Sequence, residues 1–261
     1  MLRSCNLIGE IPASFGFTSI KKLFLNGNNF TGKVPSWILN SEENIDLSYN
    51  NFTDTGVTGC HQKNTINLFS STARVNNSGI VPCLRSSTTC AAGSSHSVHI
   101  NCGGKVTKVN GTDYDADDSQ AGPSTFQYDG NSNWAFSTTG VFLDDDHLDD
   151  ELAFDNRQVS ISGDGAEPYK NARLAPTSLT YYLFCLTNST YTVKLHFAEI
   201  QFNNDQTYSS LGRRIFDVYI QIGFRWAGKG TTSMPQGTIY GPLISAISAL
   251  DPSRTIVHDG T

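Results

Sequence analysis

A stretch near the N-terminus repeats every 22 residues, and that period limits what the chain can fold into more than any other feature. Leu23-Phe24-Leu25-Asn26-Gly27-Asn28-Asn29-Phe30-Thr31 lies over Ile45-Asp46-Leu47-Ser48-Tyr49-Asn50-Asn51-Phe52-Thr53. Upstream, residues 2–12 fall on the same frame at a shift of 23, with Cys5 in the place of Asn28 and Asn50. Leu23 and Leu25, like Ile45 and Leu47, are two apart and share one face of a short strand. Asn28, Asn50 and Cys5 mark the point where the chain turns inward and its backbone groups need a buried partner. Such units bury their apolar side only against one another, so the period predicts a stacked solenoid, with Cys5 as one of its buried ladder positions.

The spacing is the leucine-rich-repeat pattern L-x-x-L-x-L-x-x-N/C-x-L. Gly9-Glu10-Ile11-Pro12 and Gly32-Lys33-Val34-Pro35 resemble the plant-specific class of these repeats found in receptor ectodomains. About three repeats are needed for stability, so two and a half read as the C-terminal end of a longer array. From Gly56 to Ser97 the apolar period disappears, and Ser, Thr, Asn and Gly surround Cys60, Cys83 and Cys90. This segment reads as a disulfide-held cap and linker, and spacing leaves the pairing of the three cysteines open.

After Ser97 the signals are those of strands. Val193 to Ile200 begins with apolar and polar residues alternating, and Ile215 to Ile220 puts Phe216, Val218 and Ile220 on one face. Gln158 to Ser162 and Tyr181 to Leu186 add further strands, with Gly- or Asn-bearing turns between and no convincing amphipathic helix. The fold class expected is mainly β: a short solenoid followed by an antiparallel β-sandwich.

Five further motifs carry a family resemblance: His99-Ile100-Asn101-Cys102-Gly103-Gly104, Asn133 to Gly140, Ser178 to Tyr182, Leu195 to Ile200 and Ser210 to Val218. Together they resemble the malectin domain of plant leucine-rich-repeat malectin receptor kinases. Trp226-Ala227-Gly228-Lys229-Gly230-Thr231-Thr232 and Tyr240 to Ile247 resemble that domain's last strands. In the family a long segment of several strands separates these last elements from the strand ending at Gln221, whereas here Gln221 runs directly into Ile222. The expected organisation is leucine-rich repeats at 1–55, cap and linker at 56–97, a malectin-like domain at 98–250 lacking an interior segment after Gln221, and a tail at 251–261. No Gly-x-Gly-x-x-Gly, His-Arg-Asp or Asp-Phe-Gly element occurs, so the kinase of the family's full-length members is not expected in this chain, nor any other enzyme activity.

Charge removes another class. The chain has 18 Lys and Arg against 24 Asp and Glu, and residues 109–156 hold 12 of the acids and no Lys or Arg. Phosphate neutralisation by Lys and Arg drives nucleic-acid binding, so no nucleic-acid partner is expected. No run of about 18 apolar residues is present to span a membrane, and the first residues do not form a signal peptide. Asn-x-Ser/Thr acceptors at Asn29, Asn51, Asn76, Asn110 and Asn188 nevertheless suit a secreted or cell-surface chain.

No cofactor or metal is expected. Gly223 to Gly230 misses the phosphate-binding loop because glycine stands where a hydroxyl should hold magnesium. Asp144 to Glu151 lacks the spaced ligands and the glycine of a calcium loop, and His96 and His99 on a strand point to opposite faces.

What remains is ligand recognition, with aromatic faces for pyranose rings and polar groups for their hydroxyls. Animal malectin, which the domain is similar to, holds a glucose disaccharide with loop aromatics and an aspartate. On this sequence the corresponding positions are Gln201 and Phe202, Leu174, a residue near Trp134 and one near Ser233. Trp134 and Phe202 are thus the retained candidates, and Tyr114, Tyr128 and Tyr169 are further aromatics able to line a different site. Within the sandwich Cys102 and Cys185 are the preferred disulfide pair. The resemblance implies recognition of a glycan or a peptide, with a co-receptor protein as partner, on the extracellular side of the plasma membrane; a stand-alone secreted glycan-binding or decoy protein is the alternative.

Overall fold

The computed structural model describes residues 2–17, 20–56, 66–68, 95–120, 124–128, 132–142, 152–154, 163, 165–187, 189–202, 214–219, 223–226, 233–234 and 243–250. The solenoid strands are β1 (Ile8–Gly9), β2 (Lys22–Phe24), β3 (Asn29–Phe30), β4 (Asn44–Asp46) and β5 (Ile66–Asn67). β2, β4 and β5 form a parallel sheet in which Leu23, Ile45 and Ile66 stand in register, while β1 pairs with β3. Leu23, Leu25, Ile45, Leu47, Ile66 and Leu68 point into the solenoid core beside Phe30 and Phe52, and those two rings lie nearly parallel at 6.4 Å. The third strand lies beyond the expected end of the repeats at 55. Its signal is present in sequence, since Ile66-Asn67-Leu68 repeats Ile45-Asp46-Leu47 at a shift of 21.

The two asparagines act as the period requires. Asn50 Nδ2 donates to the carbonyls of Leu47 (2.8 Å) and Leu25 (3.1 Å), and its Oδ1 accepts from the Phe30 N–H. One repeat earlier, Asn28 donates to Leu25 and Leu2 and accepts from Cys5 and Leu7. Cys5 itself is exposed, contrary to expectation. It stands on the outermost described coil, so its thiol reaches only the Arg3 carbonyl, while the turn it occupies is satisfied by the next repeat's asparagine.

The sandwich opens with β6 (Ser97–Cys102), β7 (Thr107–Val109), β8 (Thr112–Asp117), β9 (Phe126–Gln127), β10 (Trp134–Thr139), β11 (Val141–Phe142) and β12 (Leu152–Phe154). It continues with β13 (Asn171–Leu174), β14 (Ser178–Leu183), β15 (Thr192–His196), β16 (Phe216–Tyr219), β17 (Gly223–Trp226), β18 (Ser233–Met234), β19 (Leu243–Ile244) and β20 (Ala246–Leu250). One five-stranded sheet runs β16-β17-β14-β10-β9 and the other β15-β20-β6-β8-β7, with β12-β13-β19 as a smaller third. The first is antiparallel throughout. The second has one parallel pair, β6 with β8. The chain reverses after β6 into β7 and again at Asn110-Gly111, and two reversals leave β8 parallel to β6. Both residues of that two-residue loop have positive φ, 49° and 79°, which Asn-Gly accommodates and which matches the strand twist.

The core between the two large sheets contains Val98, Ile100 and Cys102 from β6, Trp134 and Phe136 from β10, Leu179 and Tyr181 from β14, and Ile247 from β20. Among the residues expected on one face of β16, Phe216 packs against this core but Val218 is 48% exposed; Ile220, like the strand expected at Gln158–Ser162, lies outside the described residues. Among the described residues the helix expectation holds to one short exception, Ser36–Leu39, with 3-10 turns at Ala13–Phe17 and Glu167–Tyr169.

Candidate recognition surfaces

The strand face of the solenoid is where such a coil can present residues to a partner. Phe24, Asp46 and Asn67 form one row across it, in register and opposite the core positions, and all three are buried. Asn67 Nδ2 donates to the Thr138 carbonyl (2.9 Å), to Ser137 Oγ (3.0 Å) and to the Thr125 carbonyl (3.4 Å). The Tyr49 hydroxyl lies 3.0 Å from Thr180 Oγ1, and the Ser124 hydroxyl lies beside the Asp46 carboxyl. Ser137 and Thr180 are cross-strand partners on β10 and β14, so the end of the solenoid sits on the Ser/Thr-rich outer face of one sandwich sheet. A ligand cannot use the row from Phe24 to Asn67 while this seam is closed.

The outer face of the other sheet carries two of the expected aromatics. The Tyr114 ring lies tilted against His99 at 5.2 Å, and Ser248 Oγ bonds both His99 Nδ1 (2.7 Å) and the Tyr114 phenol. Tyr169 comes from a 3-10 turn that crosses this face, and its hydroxyl meets His196 Nδ1 at 2.7 Å. Burial pushes the Tyr114 phenol up and both imidazoles down, the His196 ring also being opposed by Lys194. These groups form a small polar layer beneath the turn, with Tyr114 almost inaccessible.

Trp134 lies in the sandwich core against Phe136 and Tyr181, and its indole N–H donates to Asp115 Oδ2 at 3.1 Å. Tyr128 packs edge-on to Phe184 at 5.6 Å on the far side of β10. The five candidates are therefore dispersed over four places, with only Tyr114 and Tyr169 near each other.

Phe202 has the most open surroundings. Glu199 folds the segment after β15 by accepting the N–H groups of Gln201 and Phe202. It also forms a two-point ion pair with Arg214, whose guanidinium sits 5.0 Å over the Phe202 ring. Phe197, 42% exposed, meets Phe216 at 5.4 Å, and Ile215 beside Arg214 is 57% exposed. Arg214, Glu199 and Phe216 were not foreseen, because their meeting depends on β15 and β16 coming together from different sheets. Leu174, the other position carried over from the animal sugar site, is buried in a separate small core.

The expected disulfide between Cys102 and Cys185 does not form. Cys102 is a free, fully buried thiol at the end of β6, and burial together with the Asp117 charge pushes it well up. Cys185 is disulfide-bonded with a partner outside the described residues. Its carbonyl accepts from the Ser95 N–H, at the start of β6. Six strand residues separate these ends by about 17 Å, far beyond the roughly 7 Å a disulfide tolerates between Cα atoms.

Among the described residues no group of three His, Cys, Asp or Glu is placed to hold a metal, and no helix is long and apolar enough to cross a membrane. Gly223–Trp226 is a strand, where a phosphate-binding loop would lead into a helix. The acidic run 144–151 lies outside the described residues. Of the glycosylation acceptors Asn29 and Asn110 are exposed and Asn51 half-buried, its Nδ2 donating to Asn29 Oδ1; Asn76 and Asn188 lie outside the described residues.

The malectin-domain family model matches residues 96–222, and the leucine-rich-repeat model matches residues 19–41. The chain joins leucine-rich repeats to a malectin domain. Similar curated proteins include three of Arabidopsis thaliana with names of the form probable LRR (or leucine-rich repeat) receptor-like serine/threonine-protein kinase. One is 40% identical across 95% of this chain, another 38% across 94%, and a third 33% across 95%. This leucine-rich-repeat malectin chain spans only 27–28% of the length of those relatives. The first alignment extends over 285 positions, more than the 261 residues present here, so that relative holds residues within the aligned span that this chain lacks. No solved structure matches the chain significantly.

Proposed function

We propose that the chain is the extracellular recognition segment of a plant receptor-like kinase at the plasma membrane, binding a carbohydrate ligand and leaving catalysis to a kinase domain elsewhere in the receptor. The relatives' names and the pairing of repeats with a malectin domain support the receptor role. Closure of the solenoid row against the sandwich supports a ligand surface away from that row. The observation that carries the carbohydrate reading is the cluster of Phe197, Phe202 and Phe216 beside the Glu199–Arg214 pair. The exposed Phe197 ring and the half-buried Phe202 stand next to groups that donate to and accept from hydroxyls.

The test is an oligosaccharide array probed with the secreted, glycosylated chain, followed by calorimetry on any hit. Binding that falls at least tenfold in Phe202→Ala, with unchanged circular dichroism, supports this surface. Array binding untouched by Phe202→Ala and Phe197→Ala would move the site. Binding to displayed peptides with no array signal would replace the carbohydrate by a peptide or co-receptor protein.

A further inference from the structure

The seam between the solenoid and the sandwich contains a carboxylic acid that its contacts do not balance. Asp46 is fully buried in the middle of the strand-face row, between Phe24 and Asn67. Its Oδ1 accepts two bonds, from the Ser48 N–H at 2.9 Å and the Ser48 hydroxyl at 2.6 Å. Oδ2 has no hydrogen-bond partner. The Ser124 hydroxyl, beside the carboxyl across the seam, donates to the Gly140 carbonyl (3.0 Å) and accepts the Gly140 N–H (2.8 Å).

The groups around the carboxyl are otherwise neutral. Phe24 and Asn67 flank it on the neighbouring strands, Ser48 faces it from its own coil, and Ser124, Thr125, Ser137 and Thr138 lie across the seam. The one charge acting on it among the described residues is Arg3, and it has the smallest influence of those present. An ionised carboxylate here loses water and gains two donors, which leaves one oxygen bare. A protonated carboxyl loses far less on burial.

We infer that the seam is a proton-sensitive latch: with Asp46 protonated the end of the solenoid stays docked on the sandwich, and with Asp46 ionised the docking weakens. The device is independent of the carbohydrate reading, because it concerns the contact between the two parts of this chain and no ligand.

The direction follows from linkage. Burial raises the docked acid from the ordinary 3.8 to about 6, so between these values the docked form holds more protons than the open form, where the carboxyl meets water. Docking is then strongest below about pH 4 and weakens as pH rises through 6. With an open-state acid at its ordinary value, moving from pH 5 to pH 7.5 lowers the docked-to-open ratio about tenfold. The effect is local to the seam and leaves the β6–β20 core of the sandwich unchanged.

The experiment is hydrogen–deuterium exchange on the full chain at pH 5 and pH 7.5, with intrinsic rates corrected. Amides at 66–68, on the solenoid strand that the sandwich covers, are expected to lose about tenfold in protection at the higher pH while β6, β10 and β20 do not change. In Asp46→Asn, a neutral mimic of the protonated acid, the pH dependence should vanish. Equal seam protection at both pH values, loss of protection throughout the sandwich, or a pH effect that survives in Asp46→Asn would each overturn the proposal. Should that variant not fold, carboxyl-carbon NMR of the native chain decides: a midpoint near 6 for Asp46 supports the latch, and one near 4 overturns it.

Discussion

Replacing Asp117 by alanine should destabilise the chain more than any single surface change, and the structure supplies the reason. Asp117 and Arg173 are both fully buried between the sheets. The carboxylate accepts from Arg173 Nε at 2.8 Å and Nη2 at 2.7 Å and also from the Tyr181 hydroxyl. Nη2 further donates to the carbonyls of Asp117 and Ser119, and the guanidinium lies 4.2 Å from the Phe136 ring centroid. Removing the carboxylate strips a buried guanidinium of its counter-charge and a buried phenol of its acceptor. Truncating one partner of such a pair costs about 3–5 kcal/mol. Urea unfolding followed by tryptophan fluorescence should show this as a lower midpoint with unchanged slope. The double replacement Asp117→Leu with Arg173→Met should recover most of the loss, because an apolar pair of similar volume needs no compensation. A loss below about 1 kcal/mol in Asp117→Ala, or a double variant less stable than the single, would refute the view that the pair is held together by mutual compensation.

Three further outcomes are expected. Asn50→Ala leaves the Leu25 and Leu47 carbonyls and the Phe30 N–H without the side chain that serves them, which should cost about 2–4 kcal/mol in urea titration. Gly103→Ala should be destabilising by more than 1 kcal/mol or so in thermal unfolding, since Gly103 has φ +76° and an added Cβ would meet the Ala172 backbone at 2.4 Å. In a maleimide map of the native chain without reductant, Cys5 should label, Cys102 should label only after denaturation, and Cys185 should need reduction as well; Cys102 found in a bridge would contradict the sandwich core described above.

The periodic and local features of this protein were legible in its sequence. Leu23, Leu25, Ile45 and Leu47 announce the solenoid because a repeat buries its apolar side only in register with the next, and Asn28 and Asn50 announce the ladder because the turning backbone needs an amide at that place. The mainly β sandwich follows from equally short-range chemistry. The functional surfaces were far less legible. Trp134 and Phe202 are both aromatic, yet one is core and the other half-exposed, and only the packing of β10 against β14 and of the 197–202 segment against Arg214 separates them. Cys102 and Cys185 looked pairable because sequence carries no record of which end of β6 each occupies.

Asp46 marks the boundary most clearly. By sequence alone it is the variable residue between two core positions of a repeat, free to face water. Tertiary structure lays the sandwich over it, and a carboxyl that is ordinary on an open strand becomes a buried acid with one oxygen unserved. Short-range periodicity determines which residues face inward within each coil. What covers the outward ones depends on contacts between segments some 60 to 130 residues apart, Asn67 with Thr125 and Tyr49 with Thr180, and no local pattern encodes those.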